Sequence, residues 1–438
     1  MPFSPDVYAN RRRAVMQRIG AKAAALFPAA PVAVRSNDVE HRYRQDNTLL
    51  YLTGLQEPDS ACLLLPGHPK EEFVVFVRPR DPEREAWTGR RVGVDSALET
   101  TGAQAAYPID KLDEKIAEYV SERDYFYYTF GRDAALNNRV LGWMRQWQHL
   151  RPRTGAGPAA VLDADEVVGE LRLLKGAEEI ACLRRAVEIS AHAHRAALEA
   201  AREGVHEYEI EALLDYTFRR LGGAGPAYPS IVASADNATI LHYITNDRPL
   251  RAGDLLLIDA GAEYGGYCAD ITRTFPVGGR FTPAQRAIYD VVLEAQEAAI
   301  AVIRPGAHVD DPHKRAVEVL VDGLLRLGLL EGDRAEIVAK ELYRPFYMHR
   351  TSHWLGMDVH DVGKYKLEGV ARVLEPGMVL TVEPGLYIPA GRDHVDARYR
   401  GIGVRIEDDV LVTPSGYEVL SARIAKHPSE LETVGGAS

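Results

Sequence analysis

The stretch "DLLLIDAGAEYGGYCADITRTF", Asp254–Phe275, decides how the rest of this 438-residue chain is read. Two strand-like runs flank "EYGGY", whose glycines supply a turn, so the segment predicts a β-hairpin. Asp259 closes a run of four apolar residues, and Asp270 stands in the returning strand. A two-residue turn at Tyr264-Gly265 sets the two aspartates directly opposite each other, and a turn at Gly265-Gly266 moves the pairing by two. Side chains alternate with a period of two, so either register leaves both on one face. Two ionised carboxylates side by side on a half-buried face repel, and one is driven to protonate unless a cation neutralises them. Taken alone, the pair also fits a hairpin with a wet polar face.

The pair does not stand alone. In "GMVLTVEPGLYI", Gly377–Ile388, Glu383 ends another apolar strand just before a Pro-Gly break. In "YRGIGVRIEDDVLVT", Tyr399–Thr413, Val404 and Ile406 alternate with Arg405 and Glu407, so the arginine and the glutamate share a face. "HRTSHWLGMDVHDVG", His349–Gly363, adds three histidines. The spacing of His349 and His353 suits a zinc helix, but Arg350 stands where such a motif has its glutamate. The alternation in "MDVHDV" reads as a strand, so the three histidines are expected to differ in element and in task. Burying four acids without a cation costs several kcal/mol per ion. Four carboxylates and one imidazole exceed a tetrahedral zinc site and suit two divalent ions. Oxygen-rich ligation favours Mn²⁺.

The chain is too long for one core, and two domains are the default. From about residue 20 to 165, short apolar runs ("ACLLLP", "EFVVFVRP") alternate with helical segments such as "KLDEKIAEYVSE", an α/β pattern. The Pro-, Gly- and Arg-rich stretch Leu150–Val161 is read as the linker, dividing the chain into 1–165 and 166–438. After it, "AEEIACLRRAVEISAHAHRAALEAAREG" has helical spacing up to Gly204, with His192 and His194 assigned to a solvated face. The second half is α+β.

A formal charge of -11 argues against a nucleic-acid or acidic-membrane partner. Three dispersed cysteines, Cys62, Cys182 and Cys268, fit a reducing compartment. No apolar run approaches a bilayer span and the N-terminus has no secretory pattern, so a cytoplasmic location is expected.

Asp259, Asp270, His353, Glu383 and Glu407, in this order and local context, resemble the metallopeptidases of the pita-bread fold. With "SIVASADNATILHY", Ser230–Tyr243, the blocks are most similar to the proline-specific aminopeptidase P branch. The resemblance covers the chain from about Glu170 onward and extends more loosely to a creatinase/prolidase-type N-terminal domain. It implies an exopeptidase that removes the first residue from peptides with proline second, a hydroxide bridging two ions being the nucleophile. The ions are Mn²⁺ first, with Zn²⁺ or Co²⁺ as alternatives. Asp259 binds one ion, His353 and Glu383 the other, and Asp270 and Glu407 bridge them. Glu383 also accepts a proton, while His242 and His360 hold the scissile carbonyl and the tetrahedral intermediate.

The resemblance further pairs Arg405 with an acid of the N-terminal domain, here Asp38. It assigns Tyr387 and Trp87 to the proline and leaving-group side. The tryptophan is lent by a neighbouring subunit, implying a homo-oligomer, a tetramer or a dimer. His349 keeps two readings, packing or catalysis. The nearest rival activity is an Xaa-Pro dipeptidase. A pita-bread protein without catalysis, acting as a binding module, is disfavoured by the intact donor set.

Overall fold

A computed structural model of the chain describes residues 3–434. It separates into two compact units, with the boundary between Leu171 and Arg172.

The first unit is built on a six-stranded sheet. Its strands run in the order Ala105–Pro108, Phe73–Val77, Ala61–Leu64, Ala23–Pro28, Tyr125–Tyr127, Ala160–Leu162. The strand Ala61–Leu64 is antiparallel to both neighbours, and the remaining pairings are parallel. "ACLLLP" and "EFVVFVRP" supply fully buried strands, as continuous apolar runs do when helices cover a sheet. From the helix Ala134–Thr154, Trp143 and Trp147 set their rings edge-on to Phe126, with centroids 6.3 and 5.4 Å away. Buried aromatics of this kind contribute about 1.5–3 kcal/mol each.

The stretch 150–161 is not a linker. The helix continues to Thr154 through Pro152, and Ala160–Leu162 is the sixth strand of the sheet. Gly155 caps the helix in the left-handed region, its N–H on the Arg151 carbonyl at 2.8 Å. Pro and Gly mark helix ends as readily as linkers, and here they mark an end.

The second unit sets long helices against short antiparallel strands. Three strands, Ile231–Ser234, Leu255–Asp259 and Thr272–Pro276, form one sheet. Val379–Val382, Asp408–Thr413 and Gly416–Val419 form a second, and Gly385–Ile388 pairs with Ile402–Arg405. The two regions meet where the Glu407 N–H donates to the Thr272 carbonyl at 3.1 Å. Nearby, the Thr274 hydroxyl donates to the Arg405 carbonyl at 2.9 Å. One helix shows how sequence sets a start: Thr282 and Gln285 of "FTPAQ" exchange side-chain to backbone hydrogen bonds, and Pro283 opens Pro283–Ala301.

Behind Glu407, the buried carboxylate of Asp408 accepts from Arg273, Gln296 and Lys426, each at 2.7 Å. Burial acts to raise its pKa, but Arg273 and Lys426 outweigh it and hold the group well below the usual carboxylate range. Arg273 also donates to the carbonyls of Glu407 at 2.6 Å, Ile424 at 3.1 Å and Ala425 at 3.0 Å, tying this strand to the C-terminal segment.

The helix Ala177–Ala200 stops before Gly204, and its two histidines part company. His192 is exposed, but His194 is 3% exposed, with its Nε2–H donating to the Ala260 carbonyl at 2.9 Å. One turn earlier, the Ser190 hydroxyl accepts from the Ala262 N–H at 2.9 Å. The helix thus grips the backbone just after Asp259. Burial pulls the His194 pKa down to about 4, so the folded protein keeps this ring neutral. The folded state therefore binds fewer protons than the unfolded state between about pH 6.5 and 4, and stability falls as the pH drops through that window. The His194 share is on the order of 3 kcal/mol. Urea unfolding measured from pH 7 to pH 4 is expected to show this loss, and His194→Gln is expected to remove that share.

Candidate metal centre

Five candidate donors converge in the second unit. Asp259 is the last residue of the strand Leu255–Asp259. The hairpin pairs Asp259 with Thr272 and Tyr264 with Tyr267, so the turn is Gly265-Gly266, the second of the two expected registers. Both glycines have the positive φ, 61° and 85°, that such a turn demands. Asp259 and Asp270 share a face, and the hydroxyl of Tyr228 lies 2.6 Å from an oxygen of each.

His353 is carried by a segment running alongside Val379–Val382. The Thr381 N–H donates to the His353 carbonyl at 3.0 Å, and the Glu383 N–H to the Thr351 carbonyl at 2.8 Å. His353 Nε2 lies 3.3 Å from Asp270 and 3.6 Å from Glu383. Its Nδ1–H donates to the Trp354 carbonyl at 3.0 Å, which leaves Nε2 as the ring's ligand atom. Glu407 accepts from the Thr272 hydroxyl at 2.6 Å. Donor atoms of Asp270, His353 and Glu407 all lie within 4.8 Å of one another.

The electrostatics describe an anionic site short of positive charge. Burial raises the pKa of Asp259, with Arg405 opposing and Asp270 adding to the rise. Burial pushes Glu383 up to about 8 against His353 and Arg405. Glu407 stands well above the carboxylate range through burial and the neighbouring Asp270 and Glu383. His353 is pulled down by burial, but Asp270 and Glu383 outweigh it and hold it up at about 9. Asp259, Glu383 and Glu407, held up in this way beside Asp270 and one imidazole, fit a divalent cation, which supplies the missing positive charge. The oxygen-rich donor set suits a hard or borderline ion.

The donors face a cavity of about 1240 Å³, whose walls include Ile231, Leu241, Ile244, Val309 and Tyr365. His242, His349 and His360 also face it. The His360 ring stands edge-on to His353, centroids 4.4 Å apart, and its pKa is lowered by burial and then by His353. His349 donates its Nδ1–H to the Arg350 carbonyl at 2.8 Å and accepts on Nε2 from the Tyr387 hydroxyl at 2.8 Å, and burial drops its pKa to about 3. Arg405 is buried, and its guanidinium donates to Asp259 at 2.6 Å, Thr272 at 3.1 Å and Tyr387 at 3.2 Å. Its charge is therefore matched by Asp259 within the same unit. Asp38, the acid expected to partner it, lies on the exposed hairpin Val34–Ser36/Val39–Glu40 of the first unit and accepts from the Asn37 amide at 3.3 Å. Trp87, on the short helix Pro82–Thr88 of that unit, is 89% exposed.

"MDVHDV" is not a strand but a series of bends, because Asp361 draws the chain back on itself. Its N–H donates to the Trp354 carbonyl at 2.9 Å, and its carboxylate takes Arg172 at 2.6 Å and Lys175 at 2.9 Å. Burial raises Asp361, yet Lys175 and Arg172 outweigh it and lower its pKa. This buried cluster sits next to His360. The functional neighbours that sequence reasoning missed are Tyr228, Asp361 and its two cations.

A family model described as metallopeptidase family M24 matches residues 181–414, and one for the aminopeptidase P N-terminal domain matches residues 8–128. The chain is 44% identical over 433 residues to the Xaa-Pro aminopeptidase of Escherichia coli (strain K12), covering 99% of this chain and 98% of that one. To the Xaa-Pro aminopeptidase of Haemophilus influenzae it is 39% identical over 429 residues, covering 98% and 97%. The structure of Pseudomonas aeruginosa aminopeptidase PepP matches with a TM-score of 0.96 at 48% identity, over 99% of this chain and 98% of that one. Fold and site thus define a two-domain metallopeptidase, an aminopeptidase P-type N-terminal domain joined to a pita-bread catalytic domain. The chain belongs to metallopeptidase family M24.

Gly356 N-terminal to His360 has no room for a side chain, since an added Cβ would lie 2.1 Å from Asp361 Oδ2. That oxygen cannot retreat without leaving Lys175. Gly356→Ala is expected to cost about 1–3 kcal/mol of stability and to lower turnover, measured by thermal unfolding and by peptidase assay of the metal-loaded protein.

Proposed function

We propose that this protein is an Xaa-Pro aminopeptidase, a metal-dependent exopeptidase that releases the first residue from peptides with proline in the second position. The observation that carries the reading is the coincidence of full-length likeness to proteins of that name with five donors, none of them fully exposed, around one cavity.

Asp259, Asp270, His353, Glu383 and Glu407 are the residues that would hold two divalent ions. Asp259 would serve one, His353 and Glu383 the other, and Asp270 and Glu407 would serve both. Mn²⁺ suits this donor set, with Zn²⁺ and Co²⁺ as alternatives. When bound, such ions supply Lewis acidity and lower the pKa of water enough to provide a nucleophile at neutral pH.

The chain's own residues do the rest. Glu383 accepts the proton of the attacking water on its carboxylate and delivers it to the proline nitrogen. That nitrogen belongs to a tertiary amide and leaves poorly unless protonated. N–H groups of His242 and His360 point at the oxygen on which negative charge develops. Arg405 holds Asp259 and Tyr387 in place from behind; Tyr387, expected at the proline side, is fully buried and outside the cavity wall, so it acts by backing His349, which bounds that side. Trp87 and Asp38 serve substrate binding from the N-terminal domain. In this reading Trp87 is delivered to a neighbouring copy in a tetramer or dimer, which its exposure would allow. Among the described residues no helix is long and apolar enough to cross a membrane. All three cysteines are buried and none forms a disulfide among the described residues, which suits the reducing cytoplasm as its location.

Metal analysis separates two of these roles. His353→Ala is expected to lose bound metal. His360→Ala is expected to retain it while turnover falls on the order of 10²–10³-fold, the scale of a lost oxyanion donor. Two ions still bound in the His353 variant would refute that assignment. The activity is tested by following products by mass spectrometry, comparing Xaa-Pro-Yaa with Xaa-Pro, using stripped protein with and without Mn²⁺. Release of the first residue from the tripeptide only with Mn²⁺ is expected. Cleavage confined to the dipeptide would make the protein a dipeptidase instead, and cleavage of neither would favour a binding module.

A further inference from the structure

Glu207 opens the helix Glu207–Arg220 and is completely buried, yet it is absent from the cavity wall. A carboxylate so placed needs donors, and its donors all come from one loop. Its Oε1 accepts from the Ser234 N–H at 2.7 Å, the Ser234 hydroxyl at 2.6 Å and the Asn237 amide at 3.2 Å. Its Oε2 accepts from the Tyr243 hydroxyl at 2.8 Å and the Arg248 N–H at 3.0 Å.

Ser234 closes the strand Ile231–Ser234, and Arg248 stands where the chain returns. Both donate their backbone N–H, so one carboxylate clasps the two ends of the loop together. The backbone closes the same mouth, with the Glu207 N–H on the Arg248 carbonyl at 3.1 Å and the Leu250 N–H on the Val205 carbonyl at 2.8 Å. A second clip comes from Asn246, whose amide accepts from the Val232 N–H at 3.0 Å and donates to the Ser230 carbonyl at 2.9 Å. What this fixed loop carries is Leu241, His242 and Ile244, all in the cavity wall. His242 is itself exposed, and the residue beside it, Tyr243, is one of the five donors to Glu207.

We infer that Glu207 is a positioning residue for the peptidase reaction. Its buried charge holds the 234–248 loop so that His242 meets the scissile carbonyl. A charged acceptor suits the task because hydrogen bonds to a carboxylate are shorter and stronger than those to a neutral group. A glutamine there can keep the Ser234 side, but its amide turns a donor toward the Arg248 N–H, so the return strand of the loop is released. The inference rests on the role proposed above for His242.

The test is a double-mutant cycle on the Mn²⁺-loaded protein with a proline-second tripeptide. Glu207→Gln is expected to lower kcat by about 10- to 100-fold with bound metal unchanged. Tyr243→Phe, which removes a single donor, is expected to lower it by about 3- to 10-fold. In a His242→Ala background both effects should shrink to within about twofold, because the residue they position is gone. A merely structural role would lower kcat by the same factor in both backgrounds, and that result overturns the inference. So does a Tyr243→Phe protein with unchanged kcat, which also decides the matter if Glu207→Gln does not fold. If His242→Ala alone leaves kcat intact, His242 has no part in turnover, and the inference fails through that residue while proline-specific cleavage itself stands.

Discussion

Four carboxylates crowd one end of a set of apolar strands, and their mutual repulsion is the constraint around which the catalytic unit is organised. Asp270 and Glu407 are almost wholly buried, and Glu383 and Asp259 lie beside them. Burial and the neighbouring acids, Asp270 first among them, raise the pKa of Asp259, Glu383 and Glu407, and two protein cations, Arg405 and His353, oppose that rise only in part. Divalent ions answer this excess of negative charge directly. Replacing one acid by a neutral residue would remove a ligand and also weaken the electrostatic demand for the ions that remain.

The residues beyond the donors are arranged so that this charge can be held without collapse. Thr272 links Arg405 to Glu407 through one hydroxyl, accepting from the guanidinium and donating to the carboxylate. Ser190 and His194 fasten the backbone after Asp259 from a helix, and Asp361 with Arg172 and Lys175 fastens the loop of His360. Buried ion clusters of this type contribute little net stability, because desolvation offsets most of the Coulombic gain. Their effect lies in fixing one geometry for groups that would otherwise move apart.

Much of the centre was legible because strand periodicity is unforgiving. Either turn register keeps Asp259 and Asp270 on one face, so the pairing could be read without knowing which turn forms. The alternation at Val404–Glu407 likewise separates core from cavity, and Val404 and Ile406 are fully buried. What escaped was set by contacts distant in sequence. His194 looks like a surface residue until Ala260 is brought against its helix. The bends at 356–361 follow from cations near residue 172, which no local pattern announces. Arg405 finds Asp259, 146 positions away in sequence, and Glu207 gathers a loop that begins 27 positions later. The stretch 150–161 misled for a local reason, since a helix cap and a linker use the same residues.

The cluster around Asp408 bears on the order in which the centre can form. The last candidate donor, Glu407, is gripped through its carbonyl by Arg273, and Arg273 is itself held by the carbonyls of Ile424 and Ala425. Lys426 then neutralises Asp408 next door. A chain emerging from the ribosome presents all five donors before this fastening exists. Without the segment around residues 421–426, Asp408 keeps Arg273 and Gln296 but lacks Lys426 and the Ser421 hydroxyl, and Arg273 lacks the carbonyls of Ile424 and Ala425. The geometry of the site is therefore fastened in part by residues that follow all four acids and the imidazole in the chain, and its final form waits on contacts from that later segment.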